Sequence, residues 1–277
     1  QLVGVDTAEL LWAIGLGIVQ GITEFVPVSS SAHLLLIPEL LGAENKVLRS
    51  LDFSVALHLG TALAISAAMA PAWWRLLRAA ARPANDRGKG PGARVMLAAI
   101  VLASTVTGIV GILVEDLAES AFREPALAAS VLVVGGVLMY LADRLPGNPD
   151  RSRFRNLALA GSAQVLALVP GVSRSGAIFT VARSLGMDRR SAIDFAFLLM
   201  APVVIGAAAY RLPGLIGSPE FGGENLTLYA VGILSAAGSG YLVARALPGL
   251  VARSGVAGFC VYRMLLGAVV LVRLVVA

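Results

Sequence analysis

The chain has 277 residues, of which 57% are hydrophobic and only 14% charged, with a mean hydropathy of +0.82 and a formal net charge of +5. A soluble domain carries about 25% charged residues, so this composition excludes an ordinary water-soluble globule. The basic residues sit in short loops between apolar runs, where membrane orientation and lipid head groups account for them, so nucleic-acid binding is not expected.

In chain order, the first apolar run, 10–26, leads into a polar motif rather than a small-residue cleavage site, and is not read as a signal peptide. A second piece, 34–41, follows the polar break 27–33 and is too short to span a bilayer. Six longer runs then look able to cross: 52–70, 95–114, 126–142, 191–210, 226–244 and 256–277. Between the third and fourth lie another two short pieces, 157–169 and 177–185, split by 170–176. Polar breaks at membrane depth survive only where the backbone is buried in protein or lines a wet cavity. Two re-entrant helical hairpins are therefore expected. The stretch 82–94, rich in Pro and Gly, reads as a flexible connection. The single cysteine, Cys260, excludes a disulfide within the chain.

The two hairpins are related. Residues 20–31 align without a gap on 164–175 at an offset of 144, pairing Gln20 with Gln164, Val28 with Val172, Ser29 with Ser173 and Ser31 with Ser175. Asp52-Phe53 then pairs with Asp194-Phe195 at an offset of 142. Two matches in the same order indicate a duplication. If the first hairpin enters from outside and the second from the cytoplasm, fifteen basic residues lie inside: Arg75, Arg78, Arg82, Arg87, Lys89, Arg94, Arg144, Arg151, Arg153, Arg155, Arg183, Arg189, Arg190, Arg245 and Arg253. Only four, Lys46, Arg49, Arg123 and Arg211, lie outside, as the positive-inside rule requires. That topology inverts the halves, so the hairpin tips can meet. The expected fold is an all-α polytopic membrane protein. It is one transmembrane domain over 1–277, an inverted repeat (about 8–142 and 155–277) with two re-entrant hairpins and about six spanning helices.

The first tip offers Gln20, Glu24, Ser29, Ser30, Ser31 and His33; Gln20 and Glu24 are four apart, hence on one helix face. The second offers Ser173, Arg174 and Ser175, with Gly171 and Gly176 permitting close backbone approach. Each tip starts a helix whose free N–H groups favour an anion, and Arg174 adds a fork of donors suited to phosphate oxygens. Such a set describes a phosphate-bearing lipid head group. The plainer readings stand beside it. Ser29, Ser31 and Ser173 could each simply cap a helix, and Glu24 could serve only as a structural partner of Arg174. Intramembrane ionisable residues are costly, however, and point to function. His58, alone in an apolar span, reads as a core residue. Arg263, inside the last span, is open between snorkelling, structural pairing and a place in the site.

QGITEFVPVSSSAHL and PGVSRSG resemble the two signature motifs of the undecaprenyl-diphosphate phosphatase family, membrane phosphatases linked to bacitracin resistance, and the likeness in hydrophobic layout covers nearly the whole chain. The resemblance implies hydrolysis of undecaprenyl diphosphate to the monophosphate, which recycles the lipid carrier of peptidoglycan. It further implies a bacterial inner-membrane protein with its site open to the outer, periplasmic face, and a divalent metal, Mg²⁺ or Ca²⁺. By motif position Glu24, Ser30, His33 and Arg174 match the family's functional residues, and Ser29, Ser173 and Ser175 its phosphate-pocket hydroxyls. Ser31 and Gly176 complete the expected substrate pocket. Gln20 is a departure, since the family often has a second glutamate there. A metal would then rest on Glu24 with Gln20 and the substrate phosphates. Ser30 is the expected nucleophile with His33 as base or acid; a histidine nucleophile and a metal-bound water are the variants. The lipid-phosphatase class with a PSGH motif is set aside, because the tip reads SSSAH. A transporter or flippase of a phosphate-bearing lipid is the rival. The partners expected are a polyprenyl diphosphate and the bilayer, with a homodimer left open.

Overall fold

The computed structural model describes residues 6–42, 44–82, 92–114 and 124–276. Every regular element among them is helical: α1 (Thr7–Phe25), α2 (Ser30–Leu41), α3 (Lys46–Arg49), α4 (Leu51–Ala81), α5 (Ala93–Leu113), α6 (Pro125–Asp143), α7 (Phe154–Ser162), α8 (Arg174–Ser184), α9 (Arg189–Gly217), α10 (Leu226–Ser254) and α11 (Ala257–Val276), with short 3₁₀ turns such as Ala163–Leu168 after α7. The all-α polytopic class is as expected from the sequence.

Seven helices are long and apolar enough to cross a membrane: α1, α4, α5, α6, α9, α10 and α11. Six correspond to the runs found in the sequence. The seventh, α1, was expected only as the first arm of a hairpin; its 19 residues make it a candidate span in its own right. The polar residues near its end do not stop it, because Gln20, Thr23 and Glu24 are all buried against neighbouring elements. By contrast α2 with 12 residues, and α7 and α8 with 9 and 11, are too short to span. Most of the Pro/Gly connection, 83–91, lies outside the described residues, as do Arg87, Lys89 and Arg123 of the charge count.

Small residues let the long helices approach closely, the usual device where lipid offers no hydrophobic drive for association. On α1, Gly17 and Gly21 are one turn apart and face α10; a Cβ on Gly17 would stand 2.5 Å from the Gly232 carbonyl oxygen, and one on Gly21 2.0 Å from Ser239 Oγ. Gly60 of α4 meets the same helix, with the Ile233 carbonyl 2.4 Å from a Cβ placed there. In the second half, Gly267 of α11 lies against the Ala129 carbonyl of α6 at 2.5 Å by the same measure. These contacts set α1 and α4 beside α10, and α11 beside α6. At the far end of α6, the buried Asp143 accepts two hydrogen bonds from Arg189, at 2.7 and 3.0 Å, and one from the Val256 N–H at 3.3 Å. One carboxylate thus ties α6, α9 and the start of α11.

Candidate active site

The breaks after α1 and before α8 face each other. Ser29 and Ser173, paired by the repeat, are the two non-glycine residues with positive φ among the described residues, at 72° and 71°. Holding a side-chain-bearing residue there costs on the order of 1–3 kcal/mol, so the surrounding contacts must enforce it. The contacts differ between the tips. Ser173 Oγ caps its own helix, accepting from the Gly176 N–H at 3.3 Å. Ser29 Oγ instead reaches across and accepts from the Gly171 N–H at 3.0 Å, tying the first tip to the second. The plain capping reading therefore holds for Ser173 and not for Ser29. Ser31 Oγ lies 3.2 Å from Ser29 Oγ, and Ser175 Oγ 3.3 Å from Ser173 Oγ, so each tip carries a hydroxyl pair.

Glu24, at the end of α1 and only 6% exposed, is the centre of the arrangement. Its Oε1 accepts from the Arg174 guanidinium at 3.0 Å. Its Oε2 accepts from the Ser30 hydroxyl at 2.6 Å and from the Gln20 side-chain amide at 3.2 Å. His58 Nε2 stands 3.6 Å from the same oxygen. The Arg174 side chain is 22% exposed and is the more open member of the pair. A buried carboxylate with one guanidinium and one short hydroxyl contact is both paired and placed to take the hydroxyl's proton.

His33 stands differently from the expectation. Its Nδ1 is 2.7 Å from the Ser29 carbonyl oxygen, which can only accept, so Nδ1 carries a proton. Its Nε2 is 2.8 Å from the Tyr262 hydroxyl, and the two rings stack with centroids 5.6 Å apart. The ring is thus oriented by its own tip and by α11, and the short partner of Ser30 is Glu24.

Three residues emerge that the sequence reading did not place in the site. His58 was read as a core residue, yet it is partly exposed and stands beside Glu24 because α4 and α1 both pack on α10. Tyr262 holds His33. Arg263, 1% exposed, donates to the carbonyls of Pro27 at 3.2 Å, Gly171 at 2.8 Å and Val172 at 3.1 Å. It therefore binds the backbone of both tips at once, which resolves its open status as structural pairing at the site. No spacing rule links positions 24, 58 and 263; the one signal was Arg263 itself, a charge inside an apolar span.

The donor set fits a hard divalent cation in part. No group of three His, Cys, Asp or Glu side chains gathers among the described residues. Beside Glu24, however, the buried Gln20 Oε1 has no hydrogen-bond partner among the described residues, and Ser30 supplies a hydroxyl oxygen. One carboxylate with neutral oxygens suits Mg²⁺ or Ca²⁺ when substrate phosphates and water complete the shell.

Comparison with known proteins finds relatives over nearly the whole chain. The family model described as bacitracin resistance protein BacA matches residues 13–269. An undecaprenyl-diphosphatase of Gemmatimonas aurantiaca is 40% identical over 265 residues, covering 95% of this chain and 97% of the relative. One from Desulforudis audaxviator is 39% identical over 266 residues (94% and 95%), and one from Rubrobacter xylanophilus 40% over 269 (95% and 97%). Matched from its first long helix to its last, the chain belongs to the bacitracin resistance protein BacA family.

Proposed function

We propose that this protein hydrolyses undecaprenyl diphosphate to undecaprenyl phosphate and inorganic phosphate at the junction of the two tips. The observation that carries the reading is the Ser30 hydroxyl at 2.6 Å from Glu24 Oε2 while Arg174 holds Oε1. A hydroxyl on a carboxylate, next to an arginine and two hydroxyl pairs, is a nucleophile, a base and an anion pocket in one place.

Ser30 Oγ attacks the terminal phosphorus and gives its proton to Glu24. The bond from that phosphorus to the bridging oxygen breaks, and the bridging oxygen leaves with the lipid monophosphate. Arg174 and the starts of α2 and α8 neutralise the charge that gathers on the transferring group and on the leaving phosphate. Water then cleaves the phosphoserine. His33, its Nδ1–H fixed on Ser29, takes the proton of that water at Nε2 as the Tyr262 hydroxyl gives way and passes it to the departing phosphate, while Glu24 returns the serine proton. Ser29, Ser31, Ser173 and Ser175 contribute hydroxyls to the phosphate oxygens, and Gly176 an open helix start. A Mg²⁺ or Ca²⁺ ion held by Glu24 and Gln20 would supply further neutralisation of the diphosphate.

The sequence repeat, the shared backbone at Ser29 and Ser173 and the basic loops support an inverted repeat with the site open to the periplasm, in the bacterial inner membrane. The test is phosphate release by Ser30→Ala, Glu24→Ala, His33→Ala and Arg174→Ala proteins in detergent. Loss in all four supports these roles, and near-normal turnover in any one removes that residue from its role. A transporter reading would require lipid movement across proteoliposomes without phosphate release.

A further inference from the structure

Beside the catalytic cluster a groove of about 420 Å³ lies between α5 and α9, lined by Gly108 and Gly111 on one side and Val203, Gly206 and Ala207 on the other. Arg174 contributes to the same lining, so the groove is continuous with the proposed phosphate pocket. Leu168, at the end of the 3₁₀ turn before the second tip, also lines it. Apart from Arg174, the hydroxyls of Ser104 and Thr107, and Tyr210 with Arg211, the lining is apolar. The helix faces flanking it expose Ile109, Ile112, Ile205 and Tyr210, so its surroundings are the apolar surface of the molecule rather than a polar one.

The glycines here are unlike those that pack α1 on α10. A Cβ at Gly108 or Gly206 would meet nothing within 4 Å, and one at Gly111 only the Leu168 side chain at 3.9 Å. Glycine inside a helix costs about 0.5–1 kcal/mol relative to alanine, and no helix–helix contact at these positions requires it. What the absent side chains leave is room beside Arg174.

Building on the phosphatase reading, we propose that this α5–α9 groove seats the phosphate-proximal isoprene units of the lipid substrate. The occupant is a prenyl chain whose diphosphate lies on Arg174. A volume of about 420 Å³ suits a ligand segment of small-molecule size, so the rest of a long chain runs on into the bilayer. The groove thereby holds the chain next to the diphosphate and sets the lipid's reacting phosphorus against Ser30.

The test is substitution of leucine for the groove glycines, with phosphate release from undecaprenyl diphosphate measured in detergent. Gly108→Leu and Gly206→Leu place bulk in the groove at positions where an added Cβ meets nothing within 4 Å, and leucine favours the helix, so folding is preserved. Gly238→Leu on α10, also exposed with nothing within 4 Å of an added Cβ, is the control away from the groove. The expected result is a fall in kcat/KM of about tenfold or more in both groove variants, carried by KM, with Gly238→Leu unchanged. Groove variants within twofold of wild type, or an equal loss in Gly238→Leu, overturn the proposal. If the wild-type protein itself releases no phosphate, the phosphatase reading fails separately. The groove is then judged by native mass spectrometry of bound undecaprenyl diphosphate: retention by wild type and loss in Gly206→Leu supports it, and equal retention by both overturns it.

Discussion

Replacing Glu24 by glutamine is the sharpest perturbation of the proposed chemistry, because it keeps the shape of the side chain and removes its charge. Three donors converge on this carboxylate at 3.2 Å or less: the Arg174 guanidinium, the Ser30 hydroxyl and the Gln20 amide. A glutamine at position 24 offers one acceptor oxygen and one donor nitrogen. At least one of the three then faces a donor, and Arg174 loses its counter-charge. Breaking a fully buried ion pair costs about 3–5 kcal/mol, but the Arg174 side chain is 22% exposed and keeps some solvation. A loss of about 1–3 kcal/mol is expected, a drop in apparent melting temperature of roughly 2–10 °C. The catalytic loss is larger. Without a proton acceptor 2.6 Å from Ser30, turnover should fall by about 10²–10⁴-fold, the usual contribution of a general base. The assay is phosphate release from undecaprenyl diphosphate by folded Glu24→Gln protein, with thermal unfolding in the same detergent. Turnover within threefold of wild type, alongside inactive Ser30→Ala, would refute Glu24 as the base.

Arg263→Met removes three donated hydrogen bonds to the Pro27, Gly171 and Val172 carbonyls, and should lower turnover by about 10²-fold through displacement of the tips; Arg263→Lys, which restores the charge and part of the bonding, should recover activity in part, as steady-state kinetics would show. Gly21→Ala forces a methyl against Ser239 Oγ and the Ala236 carbonyl and should destabilise the α1–α10 contact by about 1–3 kcal/mol, whereas Gly15→Ala, with nothing within 4 Å, should be neutral or slightly stabilising in thermal unfolding.

Both tips of the candidate site were legible in the sequence because the same short pattern occurs in each. The offset of 144 pairs Ser29 with Ser173, and the structure gives those two residues the same unusual backbone. The approach of Glu24 to Arg174 followed from tips that carry opposite charges in an apolar chain, where each needs the other. The all-α membrane class followed from composition together with apolar runs of bilayer-spanning length. What was not legible depends on which faces of distant helices meet. The expectation of His33 as the partner of Ser30 rested on the resemblance of the motif that carries both; the hydrogen-bond partner of the Ser30 hydroxyl is Glu24, six residues back across the turn, because the left-handed conformation at Ser29 folds α2 onto the end of α1. His58 came into the site through glycines at 21 and 60 that bring α1 and α4 to one helix, and nothing near His58 in the sequence announces it. Tyr262 and Arg263 act from 229 and 236 residues away, on the Ser29–His33 turn and the Pro27 carbonyl. The extra candidate span, α1, escaped because its apolar run, 10–26, ends at the polar break 27–33 and was taken as one arm of a hairpin, whereas the helix starts earlier, at Thr7, and reaches spanning length.

The central claim is that the junction of the two tips cleaves a lipid diphosphate, and product analysis tests it most directly. Purified wild-type and Arg174→Ala proteins would be incubated with undecaprenyl diphosphate in detergent with Mg²⁺, and both phosphate and lipid products quantified. The account predicts one phosphate released per undecaprenyl monophosphate formed by the wild type, and loss of both products in the variant. Intact diphosphate after incubation with folded wild-type protein, or equal release by Arg174→Ala, would contradict it.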